Sequence, residues 1–275
     1  MSGKGISSGI TAHETALRLA GAYSAMPAVE AVVLAGSRTS GLGDPTSDID
    51  LYVHSREPVS LKEREEVASG SKRSEIGNAF WEPGDEWVDE ATGISVDVMF
   101  RDCQWIEDQL DRVLKHHQAS IGYSTCFWYN VLHSEILFDR SGWFAALQER
   151  ARQPYPEDLR AAIIAKNFPI LRRNMSSYVH QMELAIRRGD FVSLNHRTTA
   201  LLASYFDVLF AVNTQPHPGE KRLVNFAERL CGKRPADFAE RIEELLASLP
   251  RLDASVIERA ERVVEGLEEL VKAQG

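Results

Sequence analysis

Residues 29–54 read VEAVVLAGSRTSGLGDPTSDIDLYVH, and this stretch decides the fold. Val29 to Ala35 is a short, valine-rich apolar run closed by Gly36, the pattern of a buried strand. Residues 38–47 (RTSGLGDPTS) are turn chemistry. Asp48 to His54 then alternates, with Ile49, Leu51 and Val53 on one face and Asp48, Asp50 and Tyr52 on the other. That pattern predicts a half-buried strand with its carboxylates on the polar face. Two residues apart on a strand, Asp48 and Asp50 leave the same face roughly 7 Å from each other.

On either side of this hairpin-like core the pattern stays mixed. Residues 11–25 have apolar side chains at helical spacing, opened by Thr11-x-x-Glu14 as a capping box. Residues 60–69 and 103–118 also read as helices. Residues 80–93 (FWEPGDEWVDEATG) read as a loop. Ile94 to Phe100 (ISVDVMF) is a third strand, with Asp97 opposite Ile94, Val96 and Val98, and Ser134 to Asp139 (SEILFD) a fourth. Beyond Asp139 no strand pattern remains. Pro154 and Pro156 mark a boundary, and helical spacing then covers 157–188, 191–212, 220–231, 236–248 and 255–272, the last opened by Ser255-x-x-Glu258. The expected fold is α+β: a mixed sheet with helices over residues 1–140, followed by an all-α helical bundle over 150–275.

The 275 residues carry a net charge of −9, which argues against nucleic acid as a general partner. The charge is uneven. Residues 1–140 hold 12 Lys/Arg and 22 Asp/Glu, whereas residues 160–235 hold 12 basic and 5 acidic side chains. An acidic half facing a locally basic one suits a cation bound to a polyphosphate, although a solvated surface would look the same. The cysteines Cys103, Cys126 and Cys231 are widely spaced and form no Cys-x-x-Cys pair. Neither a disulfide framework nor a structural zinc site is indicated, so a reducing cytoplasm is the expected location. The first 26 residues lack a basic segment followed by an apolar one, so no signal peptide is expected, and no run of roughly 18 apolar residues predicts a membrane span.

Three carboxylates carry the chemistry. If the strands bearing Asp48, Asp50 and Asp97 are neighbours, the three converge on one surface. Like charges so placed repel one another, and a divalent cation removes that cost. Mg²⁺ takes oxygen ligands from a few carboxylates and from substrate phosphates, and two such ions clamp the attacking and leaving oxygens of a phosphoryl displacement. Gly36 lets the backbone approach a ligand closely, and Ser37 adds a hydroxyl and an N–H suited to phosphate.

These residues resemble a known family. Gly36-Ser37, a ten-residue loop, and Ser47-Asp48-Ile49-Asp50-Leu51 are similar to the signature of the DNA polymerase β-like nucleotidyltransferase superfamily, and Asp97 matches the place of its third carboxylate. The resemblance covers roughly residues 29–100. It implies transfer of a nucleoside monophosphate from an NTP, with ATP the expected donor, to a hydroxyl of an acceptor, with release of pyrophosphate. It further implies that Asp48 and Asp50 bind two Mg²⁺ ions, with Asp97 as third ligand or as the general base. A domain of this kind followed by a helical bundle resembles the aminoglycoside and lincosamide nucleotidyltransferases, which makes a small-molecule acceptor the expected partner.

The remaining candidates are weaker signals. Lys221 ends a Pro- and Gly-rich turn and is a candidate triphosphate contact, or simply a surface lysine. Trp81, Glu82, Glu86 and Trp87, in the loop 80–93, are candidate acceptor contacts, stacking on and pairing with a cationic or sugar-like molecule. Tryptophans packed on the body of the protein are the competing reading. Residues 122–130 (GYSTCFWYN) read as aromatic core. Arg173 and His180, with six residues between, also resemble the Arg–His motif of HEPN ribonucleases found beside such folds. A ribonuclease or toxin–antitoxin protein, or a catalytically inactive regulatory relative, is the alternative function. Arg112 and His117 match the same motif, so it discriminates little.

Overall fold

The computed structural model describes residues 11–39, 47–71, 73–80 and 82–273. In chain order the elements are α1 (Ala12–Ser24), β1 (Val29–Leu34), β2 (Ile49–Ser55), α2 (Leu61–Val67), β3 (Ser74–Asn78), β4 (Gly84–Val88), β5 (Ser95–Asp102), α3 (Cys103–Leu114), α4 (Cys126–His133), β6 (Glu135–Asp139) and α5 (Trp143–Ala151). Helices α6 (Glu157–Asn167), α7 (Pro169–Arg172), α8 (Tyr178–Arg187), α9 (Phe191–Val212), α10 (Leu223–Leu230), α11 (Phe238–Ser248) and α12 (Ala254–Lys272) follow. The fold is α+β, a mixed sheet with helices followed by a helical region.

The chain divides into two compact units. The first comprises residues as far as Gln109 together with Asn130–Gln153, and the second comprises Leu110–Tyr129 together with Pro154 onward. Contiguous ranges of 1–140 and 150–275 therefore miss the segment 110–129. Polar bonds explain its allegiance. Gly122 N–H donates to Asn167 Oδ1 at 2.9 Å, and the Ser124 N–H and hydroxyl donate to the Asp207 carboxylate at 3.0 and 2.6 Å. Asp207 and Asn167 are fully buried, so their polar atoms demand partners, and the loop supplies them.

In the first unit six strands form one sheet in the order β3-β4-β5-β2-β1-β6. Only β2 and β5 run parallel; the other neighbours are antiparallel. One sheet face packs on α1: Leu19, Ala20 and Tyr23 meet Leu34, Ile49, Leu51, Val53, Val96 and Val98. Each such fully buried aliphatic side chain contributes about 1.5–3 kcal/mol. The capping box is present, with Thr11 accepting from Glu14 N–H and Glu14 reaching back.

Two strands escape the sequence pattern. Residues 80–93 are not all loop, because β4 lies within them, and β3 precedes them. β3 is an edge strand exposed along most of its length, so it needs no apolar alternation. β2 also differs from a half-buried strand, since Tyr52 and His54 on its carboxylate face are buried. The rings of Trp143 and Phe144 on α5 cover His54 at 5.5 and 5.1 Å between centroids. Only the Asp48–Asp50 end of that face stays open.

In the second unit α9 is the central helix, and every residue from Ser204 to Val212 is buried. The stretch 157–188 is three helices rather than one, broken by Pro169 and by the turn before Tyr178. The last helix is capped by Asp253, whose side chain accepts from Ser255 N–H, rather than by Ser255. Among the described residues, no helix is long and apolar enough to cross a membrane.

Candidate active site

The site is built where β1 ends. After Leu34 the chain turns through a 3₁₀ segment, Gly36–Arg38, and Gly36 has φ +69°. Ala35 N–H donates to the Asp50 carbonyl at 2.9 Å, which holds this turn against β2. A Cβ on Gly36 would lie 1.8 Å from Asp50 Oδ2 and 2.6 Å from its Cγ. Glycine is therefore required twice, once for the left-handed backbone and once for the space that the Asp50 carboxylate occupies. Ser37 lends its backbone to the turn; its side chain, like Trp81, Gly41 and Gly43, lies outside the described residues. Arg38 closes the far side of the loop. Its guanidinium donates to the carbonyls of Ser47 and Asp48, the latter at 2.9 Å, so it fixes the backbone from which the Asp48 carboxylate projects.

Sheet register does the rest. On the parallel neighbours β2 and β5, Asp50 is the direct partner of Asp97. Glu86 on β4 is the partner of Asp97 from the other side, and Glu75 on β3 is the partner of Glu86. Side chains of direct partners leave the same face, so Asp50, Asp97, Glu86 and Glu75 make one acidic row across four strands. Asp48 stands two residues before Asp50, exposed. A cavity of about 340 Å³ lies over this row and touches Asp48, Asp97, Glu86, Glu75 and Arg73.

Below the row the same face is sealed by an ionic and aromatic layer. The Arg101 guanidinium stacks 3.8 Å over the Tyr52 ring, pairs with both oxygens of Glu82 at 2.7 and 2.9 Å, and donates to Asn130 Oδ1 at 3.1 Å. Asn130 in turn donates to the Tyr52 hydroxyl at 3.1 Å. Arg101 is 5% exposed, so its charge depends on Glu82 for compensation.

These contacts revise the acceptor candidates. Glu82 is engaged by Arg101 and is not a free carboxylate for a ligand. Trp87 points to the core side of β4, is 4% exposed and packs among the α1 cluster, so it cannot stack as a lid. The competing reading, a tryptophan packed on the body, holds for it. Glu86, one residue earlier, faces the acidic row and is exposed. Lys221 is exposed in the second unit, just before α10. Glu75 and Arg38 were not singled out from the sequence. Arg38 follows Gly36-Ser37 directly, which was a usable signal; Glu75 sits on an edge strand without pattern.

Among the described residues, no three His, Cys, Asp or Glu side chains are already gathered as a metal site. The oxygen donors nevertheless suit Mg²⁺. That ion is commonly completed by substrate phosphates rather than by a full protein cage, and the space left by the missing Gly36 Cβ accommodates one donor, Asp50. Of the ribonuclease motif, Arg173 is paired with Glu268 at 2.7 Å and His180 lies 3.4 Å from Glu183.

The mixed sheet thus sets a glycine turn over one aspartate and registers a second aspartate beside it. Residues 18–118 match the family model described as nucleotidyltransferase domain, so this part of the chain carries such a domain. Residues 128–223 match a second model, described as domain of unknown function DUF4037. Among solved structures, the chain is similar to a nucleotidyltransferase-like protein from Exiguobacterium sibiricum 255-15, with 18% identity and a TM-score of 0.46 over 95% of this chain and 75% of that one. No curated protein matches.

Proposed function

We infer that this protein transfers a nucleoside monophosphate, from ATP as donor, to a hydroxyl of a small, positively charged acceptor. The observation that carries the reading is the register of Asp50 beside Asp97 beneath the Gly36 turn. Asp48 and Asp50 would hold Mg²⁺ with the triphosphate, and the bound cation would offset the charge developing on the phosphoryl oxygens. The Gly36–Arg38 backbone would cradle the phosphates. Asp97 would accept the proton of the acceptor hydroxyl as its oxygen bonds to the α-phosphorus. The bond from the α-phosphorus to the β-bridging oxygen breaks, and pyrophosphate leaves with that electron pair. Glu86 and Glu75 extend the acidic row beyond the three carboxylates that serve the chemistry. Their charge favours an acceptor carrying an amine near its hydroxyl.

The test is pyrophosphate release from ATP with Mg²⁺, run against hydroxyl compounds with and without amino groups. Asp48→Asn and Asp50→Asn should abolish release while the circular dichroism of the protein is unchanged. Turnover near that of the native protein in either variant would sink the assignment. Equal release with neutral sugars and with amino sugars would remove the acceptor preference but leave the transferase reading standing.

A further inference from the structure

The second unit contains a cavity of about 570 Å³ that the transfer chemistry does not use. Volumes of about 300–1,000 Å³ are typical of small-molecule sites. Its walls are apolar: Leu202 and Phe206 of α9, Ile242 and Leu246 of α11, and the Tyr123 ring. Two of these remain open to solvent, Leu246 at 46% and Tyr123 at 37%. A recess that keeps large apolar side chains wet gains from any hydrocarbon body that displaces the water.

The rim has a different chemistry. Glu220, Lys221 and Arg222 line it, two cations against one acid, in a chain whose net charge is −9. Both cations border the first turn of α10, where no side chain caps the helix. The positive end of that helix therefore adds to their field. Tyr123 and Arg222, one from the wall and one from the rim, hold left-handed backbones at φ +55° and +54°. Neither is glycine, and residues kept in such conformations concentrate at ligand sites.

We propose that this cavity binds a small organic anion with a flat apolar body, the body against Phe206, Tyr123 and Leu246 and the anionic group at Lys221 and Arg222. This gives Lys221 a task within its own unit, apart from the triphosphate contact suggested by the sequence. The inference is independent of the proposed transfer reaction.

The probe is 8-anilinonaphthalene-1-sulfonate, with uncharged N-phenyl-1-naphthylamine as its neutral counterpart, titrated by fluorescence into the full chain. One saturable site is expected. Lys221→Glu should weaken sulfonate binding about tenfold or more, the scale of one contact to a charged group, and leave the neutral probe unaffected. Thr199→Trp, at an exposed rim position of α9, should block both probes without touching the core. Asp48→Asn should bind both as the native protein does, so a failure of the transferase reading remains distinguishable. Sulfonate affinity unmoved by both Lys221→Glu and Thr199→Trp, in variants whose circular dichroism is native, would overturn the proposal. So would equal affinity for the two probes.

Discussion

Gly36→Ala is the sharpest test of how the site is assembled. The substitution adds one methyl group, and the structure says what that group meets. The backbone at φ +69° is left-handed, which costs a residue with a Cβ about 1–2 kcal/mol. The new atom would stand 1.8 Å from Asp50 Oδ2, 2.6 Å from Cγ and 3.0 Å from Cβ. Restoring an ordinary contact of about 3.4 Å moves the carboxylate oxygen by about 1.5 Å, and misplacement of about 1 Å at a reacting centre costs on the order of 100-fold in rate. Rotating the Asp50 side chain is not enough, because its Cβ is itself close. Gly36→Ala should therefore lose at least about 100-fold in pyrophosphate release and roughly 1–3 kcal/mol of stability in urea unfolding. The Asp50→Ala background separates the two effects. There the collision shrinks to the Cβ contact at 3.0 Å, so the stability cost of Gly36→Ala should fall toward the backbone component alone, a coupling that a double-mutant cycle reads directly. An identical cost in both backgrounds, or native activity in Gly36→Ala, would refute the argument.

Asp85 is fully buried and accepts two bonds from the Arg64 guanidinium, at 2.9 and 2.5 Å, and one from Gly77 N–H at 2.7 Å. Asp85→Ala leaves Arg64 buried and uncompensated, and should cost about 3–5 kcal/mol in urea unfolding; a loss below 1 kcal/mol would show that water reaches the pair. Burial holds both His54 and His217 down at about 3, from a normal value of 6.5. Below pH 6.5 the unfolded chain takes up protons that the folded chain refuses, so stability falls with pH, by about 2 kcal/mol per histidine at pH 5. Asp207 acts oppositely, because burial raises its carboxyl to about 6. Its contribution is complete below about 4 and is lost as pH rises through 6, so it returns about 1.4 kcal/mol at pH 5. The unit holding His54 should thus be the more acid-labile, and His54→Phe should flatten its pH profile; a profile unchanged by that substitution would show that the imidazole is not held neutral.

The sequence by itself determined what depends on near neighbours in the chain. The alternation of Ile49, Leu51 and Val53 with Asp48 and Asp50, the glycine before them, the capping box at Thr11 and Glu14 and the helical span of α9 were all legible, because strand and helix periods are local. The family resemblance rested on the same short stretch. Only the tertiary structure decided which carboxylates meet. Asp50 and Asp97 are partners because β2 and β5 pair in one register, and a slip of one residue would turn Asp97 to the core face. It likewise sent Trp87 into the core and Glu86 to the acidic row, committed Glu82 to Arg101, and brought in Glu75 from an edge strand with no apolar pattern. The segment 110–129 joined the second unit because Asp207 and Asn167, far along the chain, needed its donors. Pairing, burial and charge compensation are settled between residues distant in sequence, and no local window contains both partners.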